Sequence, residues 1–364
     1  MRIVIFGLTV SSSWGNGHAT LWRGLIGALA RAGHRVDFFE RDVPYYAGHR
    51  DLHALPRGEL VLYPDWPAVR ARARRAVADA DVAIVTSYCP DAVEAARLAC
   101  DAPGVQRVFY DLDTPVTLAR LDAGEPVAYL PPEGLGGFDL ALSYTGGAAL
   151  EALVARLGAP RALPLYGSVD PDVHRPAEPR PAWRSALSYI GTWAADRQRA
   201  VDALFLEPAR RLPAERFVLA GSQYPADFPW APNVWYLAHL PPAEHPAFYA
   251  SSRLTLNVTR GAMAAMGWCP SGRLFEAAAC GVPILTDAWA GLDAFYAPGE
   301  EILVARDTDD ALAALALDDA TLARVGGRAR ERTLDEHTAE RRAAELLDAI
   351  AAGDDARLAA VPER

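Results

Sequence analysis

The stretch SGRLFEAAACGVPILTD, Ser271 to Asp287, decides the fold. Its pattern predicts a helix with mostly small side chains, then a Gly-Val-Pro turn, then an apolar strand. Small Ala and Cys side chains let such a helix pack closely on a sheet, which is typical of an α/β layer. Ser271 and Gly272 lie where the helix begins, and Arg273 is in its first turn. Free backbone N–H groups and a cation therefore meet at one point, and the pattern predicts an anion site there.

Glu276 lies one turn further along the same helix. A carboxylate with two acceptor oxygens suits the two hydroxyls of a ribose whose phosphates lie at the helix start. In the other interpretation, Glu276 only favours the helix N-terminus electrostatically. Helix physics leaves both interpretations open.

Apolar strand-like runs alternate with Ala-, Leu- and Arg-rich helical runs on both sides of this stretch. This alternation indicates parallel sheets covered on both faces by helices. A proline-rich break follows Leu165, so we predict a Rossmann-like domain over 1–165, a linker over 166–185, a second Rossmann-like domain over 186–335 and a helical tail over 336–364. The strand-like runs are RIVIFGL, HRVDFFE, DVAIVTS, QRVFYDL and DLALSYT, then ALSYIGT, RFVLAGS, VWYLAHL, RLTLNVT, VPILTD and EILVAR.

The amino-acid composition indicates which binding partners and which cellular compartment to expect. The formal net charge of the 364 residues is −10, which disfavours nucleic acid and anionic membranes as partners. Four cysteines lie scattered without a CxxC pair, which fits a reduced cytoplasm better than a disulfide framework or zinc site. The apolar opening MRIVIFGLTV is too short to span a membrane and lacks signal-peptide features, so we expect a cytoplasmic protein that is not integral to a membrane.

Several motifs together resemble one family. FEAAACGVPILT is similar to the donor-site segment of GT-B glycosyltransferases, and SVDPDVHRP is similar to the stretch where many of them pass between domains. With SYIGTWAADRQ, RLTLNVTR and VFYDLDTPVTL, the chain from residue 1 to about 310 resembles the CgeB-like, or spore maturation protein-like, branch. The resemblance implies two Rossmann-like domains facing across a cleft, and transfer of a sugar from a nucleoside diphosphate-sugar to an acceptor hydroxyl of a glycan, protein or metabolite.

The resemblance also implies where the donor lies. Its ribose would contact Glu276, and its diphosphate would lie on the loops Gly191-Thr192 and Ser271-Gly272. Arg197 and Arg273 are candidates to neutralise the phosphate charge, because arginine holds phosphate oxygens in a bidentate manner. Such donors can replace a metal ion, so no metal or cofactor is expected. The alternative interpretation of Arg197 is a solvated charge at a helix start.

Candidate acceptor-side residues lie in the first half. In SSSWGNGHATLWRG, which follows the first strand, Trp14 and Asn16 are candidate acceptor contacts and His18 is a candidate base. Asp113, at a strand-to-helix turn, could orient an acceptor or act as the base in place of His18. Both have structural alternatives: a hydrogen-bonded histidine at a helix start, and a helix-capping aspartate.

The sequence gives less support to other functions, but it leaves some of them open. The DLD of residues 111–113 is a metal signature in GT-A enzymes, which the second donor-type domain disfavours, and Thr20 interrupts a dinucleotide-binding glycine pattern. A sugar-nucleotide epimerase of the same fold and a non-catalytic nucleotide-sugar binding protein both stay possible. Trp268 stands where retaining enzymes often carry another glutamate, so the stereochemical outcome is open, as are the donor base, the sugar, the acceptor and the oligomeric state.

Overall fold

The computed structural model describes residues 1–359, with side chains to Gly353. The chain divides into two compact units. The first comprises Met1–Tyr166 together with the segment that begins at Ala339, and the second is Gly167–Thr338. From Gly167 on, the predicted linker is therefore part of the second unit.

The first unit contains a seven-stranded sheet in which all strand pairs are parallel. Its order is β3-β2-β1-β4-β5-β6-β7. The strands are β1 Arg2–Gly7, β2 Arg35–Arg41, β3 Gly58–Tyr63, β4 Val82–Thr86, β5 Gln106–Asp111, β6 Leu140–Ser143 and β7 Ala162–Pro164. The helices between them are α1 His18–Arg31, α2 Pro44–Ala47, α3 Trp66–Ala78, α4 Ala92–Asp101, α5 Thr114–Asp122 and α6 Ala148–Leu157.

The second unit contains a six-stranded parallel sheet of order β10-β9-β8-β11-β12-β13. Its strands are β8 Ser185–Ile190, β9 Phe217–Ala220, β10 Val234–Leu237, β11 Ser252–Asn257, β12 Ile284–Asp287 and β13 Leu303–Ala305. Its helices are α7 Gln198–Val201, α8 Glu207–Arg211, α9 His245–Ala250, α10 Gly261–Met266, α11 Gly272–Ala279, α12 Thr308–Leu315 and α13 Asp319–Glu336. A π turn joins α7 to α8, and 3₁₀ turns lie at Pro181–Trp183, Ala195–Arg197, Pro242–Glu244 and Leu292–Ala294.

The central strands are buried on both faces, which explains why they read as unbroken apolar runs. Every residue of β4 and of β9 is buried. In each sheet the strand order reverses direction once, between β1 and β4 in the first unit and between β8 and β11 in the second. Ligands of doubly wound sheets bind outside the carboxyl ends of the strands at such points.

The C-terminal helix corrects the predicted separate tail over 336–364. Helix α14, Ala339–Ala359, belongs to the first unit and packs against α1. Leu346 and Ile350 are fully buried, and Gln106 Nε2 donates to the Ile350 carbonyl at 3.0 Å. The apolar side of the helix thus completes the first core, and residues 360–364 of the predicted tail lie outside the described residues. Within the described part of the chain, no helix combines the length and the apolar character that a membrane crossing requires.

Candidate functional site

The predicted phosphate-binding turn follows β8. The Gly191 N–H donates to the Ala220 carbonyl at 2.8 Å, which ties the turn to β9. A Cβ at Gly191 would lie 2.8 Å from the Tyr189 hydroxyl oxygen and 2.9 Å from Arg273 Nη2. Tyr189 and Arg273 therefore lie directly against the glycine backbone, at a distance that a larger residue would not allow.

Arg273 is held in this position from the neighbouring strand. Its Nη1 donates to Asn257 Oδ1 at 2.7 Å, and its guanidinium lies 5.2 Å from the centre of the Tyr189 ring. Asn257 ends β11 and is itself fixed, because its amide nitrogen donates to Thr286 Oγ1 at 2.9 Å. A guanidinium has five N–H donors, so Arg273 retains donors for an anion.

Arg197 reaches the same turn from the other side. Its Nη1 donates to the Thr192 carbonyl at 3.0 Å, and the Tyr224 hydroxyl donates to the Gly191 carbonyl at 3.0 Å. Burial raises the pKa of Tyr224, whereas Arg273 and Arg197 act in the opposite direction, so both cations are near this phenol. Tyr189, Thr192, Arg197 and Tyr224 also line one small pocket.

Neither of the two arginines is in direct contact with a carboxylate of the described side chains, since neither guanidinium forms an ion pair within 4.0 Å. Arg197 Nε and the Tyr189 hydroxyl are buried without a hydrogen-bond partner. Buried polar groups are normally paired, so this arrangement suits an anionic ligand that completes the hydrogen bonding.

These residues form an arginine cluster, which we define as Gly191, Thr192, Arg197, Arg273 and Tyr189, and Arg273 lies in the first turn of α11. Ser271 is the N-cap residue and Gly272 begins the helix, as predicted, but the Ser271 side chain makes no capping bond. The first-turn N–H groups of α11 are thus free of a side-chain cap.

Glu276 lies on α11 in a second, buried cluster. Its Oε2 is 3.4 Å from His245 Nδ1 and 3.9 Å from His174 Nε2. Burial raises the pKa of Glu276, but His174, His245 and Arg273 lower it more strongly, to about 2, so the carboxylate is ionised at neutral pH. Burial lowers the pKa of His174 to about 4, so this ring is neutral there.

Sequence reasoning missed both histidines. His174 is in the SVDPDVHRP stretch and His245 begins α9 in EHPAF, far from each other in sequence. Their histidine identity was visible, but nothing local indicated that both rings meet Glu276. The structure brings them together because the segment before β8 and helix α9 both pack beside α11.

In the first unit, the structure brings the two candidate bases together. His18 Nε2 lies 3.8 Å from Asp113 Oδ1, and the Tyr88 hydroxyl donates to Asp113 Oδ2 at 2.8 Å. Asp113 occupies the N-cap position of α5, yet its side chain makes no capping bond. Tyr88 has a φ of 65°, which is unusual for a bulky residue. These three residues follow β1, β4 and β5, at the point where the strand order reverses.

The loop before His18 is ordered by its own contacts. The Asn16 side-chain oxygen accepts from the His18 N–H at 3.1 Å, and the Trp14 ring stacks on His49 with centroids 4.0 Å apart. Buried Glu40 accepts from the Val10 N–H at 2.8 Å and from neighbouring groups of the same loop. Contact of Trp14 and Asn16 with an acceptor stays a prediction.

Comparisons with known proteins fit this geometry. The full chain is similar to a sucrose-phosphate synthase from Thermosynechococcus elongatus, with 15% identity, a TM-score of 0.67, and coverage of 98% of this chain and 100% of that one. The chain has the GT-B glycosyltransferase fold. HepE from Anabaena, in complex with UDP and glucose, is similar at 11% identity and a TM-score of 0.67, over 97% of this chain and 100% of HepE.

An α-glucosyltransferase in complex with UDP has 14% identity and a TM-score of 0.67, over 96% of this chain and 100% of that one. Other structures of that enzyme contain DNA. Residues 197–348 match the glycosyl transferase-like family, and this match includes Arg197, Arg273 and Glu276. The chain therefore combines a GT-B fold with a segment that matches a glycosyl transferase-like family. A search of curated proteins finds no significant match.

Proposed function

We propose that this protein transfers a sugar, of the hexose class, from a UDP-sugar to an acceptor hydroxyl. The observation that carries the proposal is the arginine cluster: two arginines without carboxylate partners meet a glycine turn and a helix start where the strand order of the second sheet reverses. The similar structures of HepE and of the α-glucosyltransferase are complexes with UDP or UDP-glucose, which supports uracil as the base.

The arginine cluster would hold the diphosphate and stabilise the leaving group. Negative charge grows on the diphosphate as the bond to the sugar breaks, and preorganised cations stabilise it most at that moment. Arg197 and Arg273 supply this positive charge on fixed side chains, so we propose that no Mg²⁺ or Mn²⁺ is needed to bridge the phosphates.

Glu276 would bind the ribose hydroxyls. Its Oε2 faces His245 and His174, and its side chain keeps 12% exposure. The carboxylate is ionised at neutral pH, so its other oxygen is a strong acceptor for a ribose hydroxyl.

In the first unit, His18 would take the proton of the acceptor hydroxyl. Asp113 lies within reach of its ring and stabilises the imidazolium that forms, while Tyr88 fixes the second oxygen of Asp113. This arrangement has the parts of a base and its orienting carboxylate. The acceptor class, the CgeB-like subtype, a cytoplasmic location and the absence of a nucleic-acid partner stay predictions.

Turnover of UDP-glucose tests the proposal and separates the alternatives. With an acceptor panel and no added Mg²⁺ or Mn²⁺, we expect UDP to be released together with a glycosylated product. An epimerase would instead convert UDP-glucose to another UDP-sugar without acceptor, and a binding protein would change neither substrate.

Single substitutions test whether Arg197 and His18 take part in sugar transfer. Arg197→Ala should lower kcat/KM by about 10–150-fold, which corresponds to the loss of one charged hydrogen bond of about 1.5–3 kcal/mol. Arg199→Ala, an exposed arginine two residues away, is the matched control and should keep wild-type turnover. Equal turnover in both variants would remove Arg197 from the site. His18→Ala should lower kcat far more than it changes the affinity for UDP.

A further inference from the structure

The buried cluster of His174, His245 and Glu276 has a feature that ribose binding does not explain. One ligand-type atom from each residue lies within 4.8 Å of the other two. The three residues come from separate segments of the second unit: the stretch before β8, the first residue of α9, and α11. As whole residues, His174 is 1% exposed and His245 and Glu276 are each 9% exposed.

The protonation of His245 is constrained by a carbonyl. Its Nε2 lies 3.2 Å from the Leu240 oxygen, which can only accept, so this nitrogen carries a hydrogen. In the neutral ring, Nδ1 then has a lone pair directed towards Glu276 Oε2 at 3.4 Å. Two electron-rich atoms face each other, and this arrangement needs a positive charge between them, either a proton or a metal ion.

His174 decides between these two cations. Its ring is only 1% exposed, and neither ring nitrogen has a hydrogen-bond partner. A proton on His245 would satisfy the contact of that ring with Glu276 but would leave His174 Nε2, 3.9 Å from the same oxygen, without a partner. A metal ion would use all three atoms.

We propose that His174, His245 and Glu276 bind a resident divalent metal ion, with Zn²⁺ as the best match. Two imidazole nitrogens and one carboxylate oxygen are a zinc ligand set, and a histidine ligand that donates its other N–H to a backbone carbonyl is the usual outer contact. Tetrahedral bonds of about 2.0–2.1 Å place ligand atoms roughly 3.3 Å apart, so small side-chain shifts suffice.

The metal ion would have a different role from a bridge between phosphates. It would join three segments of the second unit and hold Glu276 Oε2, while the other oxygen of Glu276 stays available for a ribose. The fourth coordination position would take water or a donor hydroxyl. Only this last point rests on the proposed function, because metal binding itself requires no sugar donor.

Metal analysis of the purified full chain tests the site. We expect about one zinc per chain, and after stripping with a chelator we expect Zn²⁺ at a hundredfold excess over its Kd to raise the unfolding midpoint by about 3–8 °C. Co²⁺ added to the stripped protein should give visible absorption bands of a tetrahedral nitrogen and oxygen site. His53→Ala, which removes an exposed histidine, should leave all three results unchanged.

His174→Phe is the decisive variant, because it keeps an aromatic ring of similar size in the buried position and removes the nitrogen ligand. It should fold, lack stoichiometric zinc and show no Zn²⁺ or Co²⁺ response. Absence of zinc binding to the wild type, or an equal response in His174→Phe, would overturn the proposal and leave His245 as a protonated partner of Glu276. UDP binding measured on the same samples separates this outcome from failure of the proposed function.

Discussion

Replacing Gly191 with alanine tests the arginine cluster at its most crowded point. The added Cβ would lie 2.8 Å from the Tyr189 hydroxyl and 2.9 Å from Arg273 Nη2. Gly191 is not among the glycines with positive φ, so alanine fits the backbone. The atoms in conflict are the ends of side chains, so the fold can keep its backbone while Tyr189 and Arg273 move.

The size of the effect follows from what the movement breaks. Ordinary carbon contacts are about 3.5–4.0 Å, so the two side chains must shift by roughly 0.5–1 Å. For Arg273 this shift disrupts its 2.7 Å bond to Asn257 and its approach to an anion. Loss of one charged hydrogen bond costs about 1.5–3 kcal/mol, so UDP should bind about 10–150-fold more weakly. The crowding caused by the added methyl group should lower the free energy of unfolding by about 1–3 kcal/mol.

Calorimetric titration with UDP, with unfolding measured in parallel, checks this expectation. Gly327→Ala is the matched control, because a Cβ there meets nothing within 4 Å inside helix α13. It should bind UDP like the wild type and unfold at an equal or higher temperature. If Gly191→Ala binds UDP with wild-type affinity, Arg273 and the turn do not form the phosphate site.

Three further predictions concern the first unit. Glu40→Gln should lower the free energy of unfolding in urea by about 2–4 kcal/mol, because the carboxylate accepts several hydrogen bonds from the loop after β1 and an amide offers one acceptor; a wild-type urea midpoint would contradict this role. Burial raises the pKa of Asp111 to about 6, above its value in the unfolded chain, so its contribution to stability is present below about pH 4 and is lost as the pH rises through 6. Asp111→Asn should remove this decline, and parallel stability profiles of variant and wild type between pH 4 and 7 would refute it. Leu346→Ala should cost about 2–5 kcal/mol in the same urea assay, since the side chain is fully buried, whereas a frayed tail would show almost no change.

The sequence predicted most of the strands because their burial on both faces leaves a plain signal. Strands such as β4 and β9 are buried throughout and almost wholly apolar, and each follows a helical run. Strand β3 was missed because its exposed and buried residues alternate at the sheet edge, and β7 because it has three residues. Helix α14 was taken for a tail, since its apolar side has meaning only once α1 lies beside it.

The site was predictable where topology brings residues together. Gly191 follows β8 and Arg273 follows β11, and these strands are neighbours at the reversal of strand order, so their meeting follows from the fold. The contacts of His174 and His245 with Glu276 depend on how a coil segment and a short helix pack. No periodicity in the sequence encodes that packing, and the same holds for Tyr88 with Asp113.

Binding of UDP to Arg273→Gln and to the wild type tests the central claim most directly. The titration is done calorimetrically, with no Mg²⁺ or Mn²⁺ added, and the unfolding midpoint of each protein confirms that it is folded. We predict that the wild type binds UDP and that the variant binds it about 10–150-fold more weakly, because glutamine is polar but removes the cation and its hydrogen bond to Asn257. No binding to the wild type, or equal affinity in both proteins, would contradict a donor site built on this arginine.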